Sequence, residues 1–173
     1  MIGRGHAERL VPMIAELLDG RKPDSILVGV GPGSFTGLRV ALAAAHGLAI
    51  GWGAALTGMP TLALLAASAP GDGPVAAAIA GGHCELFVQS FARAPFAELG
   101  AARNLPAQAA AAEARELLVV GSGAAALVAA RGSGEANDLL PSARFALRLP
   151  PALRSLPPAP LYVRAPDARP RAA

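Results

Sequence analysis

Aromatic residues make up only 4% of this chain: five Phe, one Trp and one Tyr. Its core must therefore be filled by Ala, Leu and Val, which the 53% hydrophobic content supplies. Such a core lets helices pack closely and leaves little room for a large ligand cavity. Cysteine is nearly absent. Cys84 stands alone, which excludes an internal disulfide framework and points to a reducing, cytoplasmic setting. The N-terminus Met1-Ile-Gly-Arg-Gly-His6 lacks the apolar run of a secretory signal. Asp, Glu, Lys and Arg are missing altogether from residues 40–71. Gly47, Gly51, Gly53, Gly58 and Pro60 interrupt that stretch and His46 lies inside it. It reads as two buried helices joined by a short strand, not as a membrane span.

The 173 residues suffice for one domain or two small lobes. Net charge is +3, and its distribution is uneven. Arg144, Arg148, Arg154, Arg164, Arg169 and Arg171 face a single acid, Asp167, over residues 144–173, so the remainder of the chain is net acidic. A basic, Pro-rich tail can touch RNA phosphates, but composition favours a solvated tail.

Residues 6–18 read as an amphipathic helix. Leu10, Val11, Ile14, Leu17 and Leu18 share one stripe, and Glu8, Arg9 and Glu16 lie off it. Gly20 and Pro23 end it. Ser25–Val30 is a short apolar run, expected as a buried strand. Thr36 is expected to cap a helix running to about Ile50. Ala55–Thr57 suggests a strand and Thr61–Ala69 another helix, an order that implies parallel strands. The pattern changes at Ala69-Pro-Gly-Asp-Gly-Pro74. A lobe boundary is placed there, giving residues 1–72 and residues 73–173 with the basic tail. Val75–Ala80 and Glu85–Phe91 form a hairpin across Gly81-Gly82-His83. Gln108–Glu116 is expected as a helix, Leu117–Val120 as a strand, Gly121-Ser-Gly123 as a turn and Ala124–Ala130 as a short helix. Beyond Arg131 the Gly and Pro punctuation gives no firm pattern.

The glycine-rich turn Gly31-Pro-Gly-Ser-Phe-Thr-Gly37-Leu-Arg39 sits between strand and helix, the geometry of an anion site. Gly31 and Gly33 permit close backbone approach or positive φ, Ser34 and Thr36 offer hydroxyls, Gly37 completes the candidate anion turn, and Arg39 lies one turn into the helix. It fits no named phosphate motif. Leu38 stands where a P-loop needs Lys, and Thr36 stands where a dinucleotide fingerprint needs its third glycine. Ser34 is not in a nucleophile elbow, because Thr36 occupies the glycine position. Physics alone leaves a structural turn and a phosphate site evenly balanced.

The nine residues Gly31 to Arg39, followed by a small-residue helix through Gly47-Leu-Ala49, resemble the bacterial TsaB (YeaZ) family. Three further stretches agree in order: Gly5-His-Ala-Glu-Arg-Leu10, Leu56-Thr-Gly-Met-Pro-Thr-Leu62 and Pro160-Leu-Tyr-Val-Arg164. The resemblance implies an actin-like (ASKHA, ribonuclease H-like) two-lobe α/β fold. It implies a non-catalytic subunit in making threonylcarbamoyladenosine at position 37 of tRNA. The expected partners are the catalytic paralogue TsaD and the ATPase TsaE, with a homodimer as a further form and tRNA met through the complex. The chain is expected to have no activity alone and no intrinsic cofactor, with ADP or ATP at most at a subunit interface. The family label "M22 glycoprotease-like" keeps a hydrolase reading in play, and the glycine turn keeps a nucleotide-binding switch in play.

Catalytic members of the resembled family hold a metal through a His-x-x-x-His pair, and the corresponding stretch here is Thr61-Leu-Ala-Leu-Leu65. His6, His46 and His83 share no ligand spacing. Cys84 beside His83 is a weak nucleophile–base pair, since strand neighbours face opposite ways. The family usually carries charged residues where Ile79-Ala-Gly-Gly-His83 stands, while Glu85 and Phe87 keep its polar and aromatic pattern. Partner binding fits better. Leu10, Ile14 and Leu17 on one helix, and Ala41, Ala44, Ala45, Gly47 and Leu48 on the next, form the expected interface with a homologous helix pair.

Members of the resembled family begin with strands and an Asp-Thr-Ser motif before the Gly-His-x-Glu helix. This chain lacks that segment of about 30 residues, whose absence leaves Ser25–Val30 with an exposed edge. A mis-assigned start codon is the expected cause.

Overall fold

The computed structural model describes residues 6–163, with the side chains of residues 6 and 7 left out. Gly5, Arg164, Arg169 and Arg171 of the stretches above lie outside the described residues. Helix α1, His6–Leu18, occupies the expected stripe. Strand β1, Ser25–Gly31, leads through the glycine turn into α2, Phe35–Trp52, and then into β2, Ala55–Pro60. β1 and β2 pair in parallel, with Ile26 opposite Leu56 and Val28 opposite Gly58. The α2 crossover is what such a parallel pair requires.

Helix α3, Thr61–Ala67, is short, and Leu62 through Ala67 are all buried. Carbonyls at its last residue and just beyond it are met by arginine side chains. Arg93 donates to the Ala69 and Pro70 carbonyls at 2.7 Å each, and Arg148 donates to the Ala67 carbonyl. Burial lowers the Arg93 pKa from its ordinary value, Asp72 raises it and Arg148 lowers it again. The guanidinium stays charged at any working pH.

The second sheet has six strands. β3, Val75–Ala80, pairs antiparallel with β4, Glu85–Arg93. The outer edge of β4 takes β5, Phe96–Glu98, at one end and β6, Arg103–Pro106, at the other. After α4, Ala107–Glu113, strand β7, Leu118–Val120, pairs parallel with β3. Helix α5, Ala124–Arg131, precedes β8, Glu135–Asn137, which pairs parallel with β7. Two 3₁₀ turns, Ala143–Arg148 and Pro151–Arg154, lead to the last described residues.

β3 explains why alanine dominates. Its side chains alternate, so Val75 and Ala77 enter one core with α3, Phe91 and Leu149. Ala76 and Ala78 enter the other with α4, α5, Leu86 and Leu127. A strand covered by helices on both faces reads as a continuous apolar run. Phe91 is the one aromatic among the largest fully buried side chains, so the cores are Ala, Leu and Val cores.

Candidate functional site: the glycine turn and the α1–α2 face

β1 ends in Gly31, whose φ of +108° is open to glycine but rarely to other residues. The helix start differs from expectation. Ser34, not Thr36, is the N-cap of α2: its Oγ accepts the Gly37 amide at 3.3 Å, and its carbonyl accepts the Leu38 amide at 2.9 Å. Thr36 sits inside the first turn, exposed. The helix therefore begins earlier and ends later than expected, at Trp52, where Gly53 closes it with φ +66°.

The turn is not an open cradle. The chain returns to it from the far end. Leu156 forms an antiparallel bridge with Gly58 on β2, with N–H···O distances of 2.7 and 3.1 Å. The His46 Nε2 meets the Pro158 carbonyl at 3.0 Å. The Leu161 amide donates to the Val30 carbonyl at 2.7 Å. A Cβ on Gly31 would lie 3.1 Å from the Leu161 carbonyl oxygen, and one on Gly58 would lie 2.8 Å from that of Pro157. Both glycines thus seat this proline-rich strap. Sequence patterning missed the strap, because prolines give no periodicity; the paired glycines were the available signal.

Arg39 is engaged. Its guanidinium carbon stacks 3.7 Å from the centroid of the Phe35 ring, and its Nε donates to the Tyr162 hydroxyl at 3.4 Å. Tyr162 in turn leans on Phe35, with ring centroids 5.9 Å apart. Gly33 faces open space. Of the turn's polar groups, the Ser34 hydroxyl serves the helix cap and Arg39 serves the strap. Their arrangement builds a strand-to-helix corner and fastens the returning chain to it.

α1 packs on α2, with Leu10, Ile14 and Leu18 half-buried. The rest of its apolar stripe faces out, Val11 and Leu17 being 45% and 76% exposed, and Met13, off the stripe, is 49% exposed. On α2, Ala45 is buried inside the chain. Ala41, Ala44 and Leu48 are half-buried, and Gly47 is exposed. Ala43, Gly47 and Ile50 recur at helical spacing on the outward side, with Ile50 84% exposed.

The other candidates are placed as follows. Thr61 is half-buried and Leu65 fully buried in the core. His83 and Cys84 lie in no strand. They are the two central residues of the turn closed by the Glu85 amide on the Gly82 carbonyl, with φ +62° and +60°. Among the described residues, no three His, Cys, Asp or Glu gather as a metal site. No helix of the described residues is long and apolar enough to cross a membrane.

The chain is an α/β protein of two sheets, the smaller one carrying the strand, glycine corner and helix, and its actin-like type follows from its similarity to solved structures. The chain superimposes on YeaZ from Pseudomonas aeruginosa with a TM-score of 0.72 and 31% identity, covering 86% of this chain and 76% of that one. A second P. aeruginosa structure, an uncharacterized protein with similarity to peptidase YeaZ, gives a TM-score of 0.75 at 30% identity, over 94% and 86% of the two chains. The family described as "TsaD: tRNA N6-adenosine threonylcarbamoyltransferase" matches residues 1–118. Escherichia coli TsaB is 35% identical over 71 residues, covering 38% of this chain and 31% of that protein. Haemophilus influenzae TsaB is 45% identical over 53 residues, covering 28% and 22%. The matched stretches thus span a third or less of these two curated relatives. The chain belongs to the TsaB (YeaZ) family of tRNA threonylcarbamoyladenosine biosynthesis.

Proposed function

We propose that this chain is a non-catalytic subunit in the making of threonylcarbamoyladenosine on tRNA. It works by pairing with the catalytic paralogue TsaD, and the ATPase TsaE joins that pair. One observation carries the reading. The outward faces of α1 and α2 hold Val11, Met13, Leu17 and Ile50, exposed beside the small residues Ala43 and Gly47. Exposed apolar side chains grouped on two neighbouring helices suit a helix pair from another chain. Supporting it, the position corresponding to a catalytic metal ligand is taken by Leu65, sealed at 0% exposure in the core.

Reconstitution tests the reading. Adding this chain to TsaD and TsaE should restore threonylcarbamoyl transfer to tRNA, and Leu17→Glu should remove both that stimulation and co-purification with TsaD. Full transfer without this chain, or a complex indifferent to Leu17→Glu, would overturn it.

A further inference from the structure

Aromatic rings are scarce in this chain, and their placement is uneven. Of the five Phe, one Trp and one Tyr, only Phe35 and Tyr162 are exposed, at 53% and 52%. They come from opposite ends of the chain and meet, with ring centroids 5.9 Å apart and planes tilted by 33°. The Arg39 guanidinium carbon lies 3.7 Å from the Phe35 centroid, and its Nε reaches the Tyr162 hydroxyl. The two Nη groups of Arg39 have no hydrogen-bond partner among the described residues. Seating the strap does not require two rings left half in water, since Leu156 and Leu161 already bond to Gly58 and Val30 through the backbone.

The stretches that build this corner carry charge of one sign. Residues 25–71 and 139–166 supply the small sheet, the glycine turn, α2 and the strap, and contain none of the chain's 12 acidic residues. Their charges are Arg39 in the first and Arg144, Arg148, Arg154 and Arg164 in the second. Arg169 and Arg171 follow in the sequence against Asp167 alone. Exposed rings beside a guanidinium suit an unstacked nucleobase and its phosphate: the base lies on a ring face and the guanidinium bonds the phosphate. A duplex offers no free base face. An apolar protein partner would bury the free N–H groups of Arg39 unpaired, and an acidic peptide has no use for two ring faces.

We propose that Phe35, Tyr162 and Arg39 form a stacking platform for single-stranded RNA, taking about one or two unpaired bases on the rings and a phosphate on Arg39. The proposal rests on the reading of this chain as a tRNA-modification subunit only for which RNA it meets. The binding itself is a property of this chain alone.

Fluorescence anisotropy of a labelled single-stranded RNA of about ten nucleotides, titrated with the full chain at low and moderate salt, tests it. The single strand should bind, and a duplex RNA of the same length should bind at least about tenfold more weakly. Phe35→Ala and Tyr162→Ala should each weaken binding about tenfold and leave its salt dependence unchanged, because they remove stacking and no charge. Arg39→Gln should weaken it and flatten the log–log salt slope by about 0.7. Tyr162→Phe keeps the ring and should bind within about twofold of the unmodified chain. Exchange protection of the Gly58 amide, which donates to the Leu156 carbonyl, shows whether the strap stays seated in each variant. Where alanine unseats it, Tyr162→Leu keeps apolar bulk without a ring face and decides. No affinity for the single strand, equal affinity for the duplex, or binding that responds to salt but not to loss of either ring would overturn the proposal. So would alanine variants that keep RNA affinity but lose co-purification with TsaD, which would make the platform a protein contact. Stimulation of TsaD by a chain without RNA affinity would overturn this proposal and leave the subunit reading standing. Ring-dependent RNA binding by a chain that does not stimulate TsaD would do the reverse.

Discussion

At the scale of single residues, identical amino acids have opposite duties. Gly58 is confined: an added Cβ would sit 2.4 Å from Val30 Cγ1 and 2.8 Å from the Pro157 carbonyl oxygen. Gly51, inside α2, would place a Cβ in open space. Gly58→Ala should therefore cost about 1–3 kcal/mol through overpacking, while Gly51→Ala should gain about 0.5–1 kcal/mol by restricting the unfolded chain. Urea unfolding midpoints of the two variants should move in opposite directions. Cys84 offers a third case. Its φ of +60° is costly for a residue with a side chain, and Cys84 is exposed. Cys84→Gly at this hairpin turn should stabilise by about 1 kcal/mol, read in the same titration. The sequence made His83 and Cys84 a weak nucleophile–base pair on the ground that strand neighbours face opposite ways. Neither residue is in a strand: the turn uses both as its central positions in reversing the chain.

At the scale of elements, periodicity was informative wherever a helix or strand had a long enough apolar run. α1, β1, β3, β4 and the hairpin between the last two appear where spacing placed them, within a few residues. β5, β6 and β8 did not register, because strands of three or four residues carry too little alternation, and β6 ends on Pro106. Their places are set by tertiary partners. Arg131 shows how. Its Nη1 donates to the Ala114 and Glu116 carbonyls at 2.9 Å, and its Nε donates to the Ser133 carbonyl at 2.9 Å. One guanidinium thereby holds the end of α4, the approach to β7 and the turn before β8. A lysine keeps the charge but not the planar fork. Arg131→Lys should cost about 1–3 kcal/mol, because the part-buried Ala114 and Glu116 carbonyls lose their donor. Calorimetry should show a melting point lower by roughly 2–4 °C per kcal/mol, and exchange should quicken first in β8.

At the scale of the whole molecule, the glycine turn and the helix it launches serve different surfaces. The turn's inner side receives the strap through Gly31 and Leu161, and α2 meets the strap through Arg39 and His46. The outward side of α2 is left smooth by Ala43 and Gly47. Sequence spacing grouped Ala41, Ala44, Ala45, Gly47 and Leu48 as one face, because composition cannot tell which small residues a neighbouring element covers. The fold divides them. Ala45 is buried in the chain's own packing, while a Cβ at Gly47 meets nothing within 4 Å. That difference makes Gly47→Leu a clean probe of partner binding. Leucine there has better helix propensity than glycine and no internal neighbour to displace, so stability should hold or rise by about 0.5–1 kcal/mol. Against a close-packed partner helix, the same side chain stands where the two backbones approach. Co-purification with TsaD should fall by at least about tenfold, since 1.4 kcal/mol of misfit suffices. A Gly47→Leu protein that is stable and still binds TsaD at full strength would place the partner surface away from the outward face of α2.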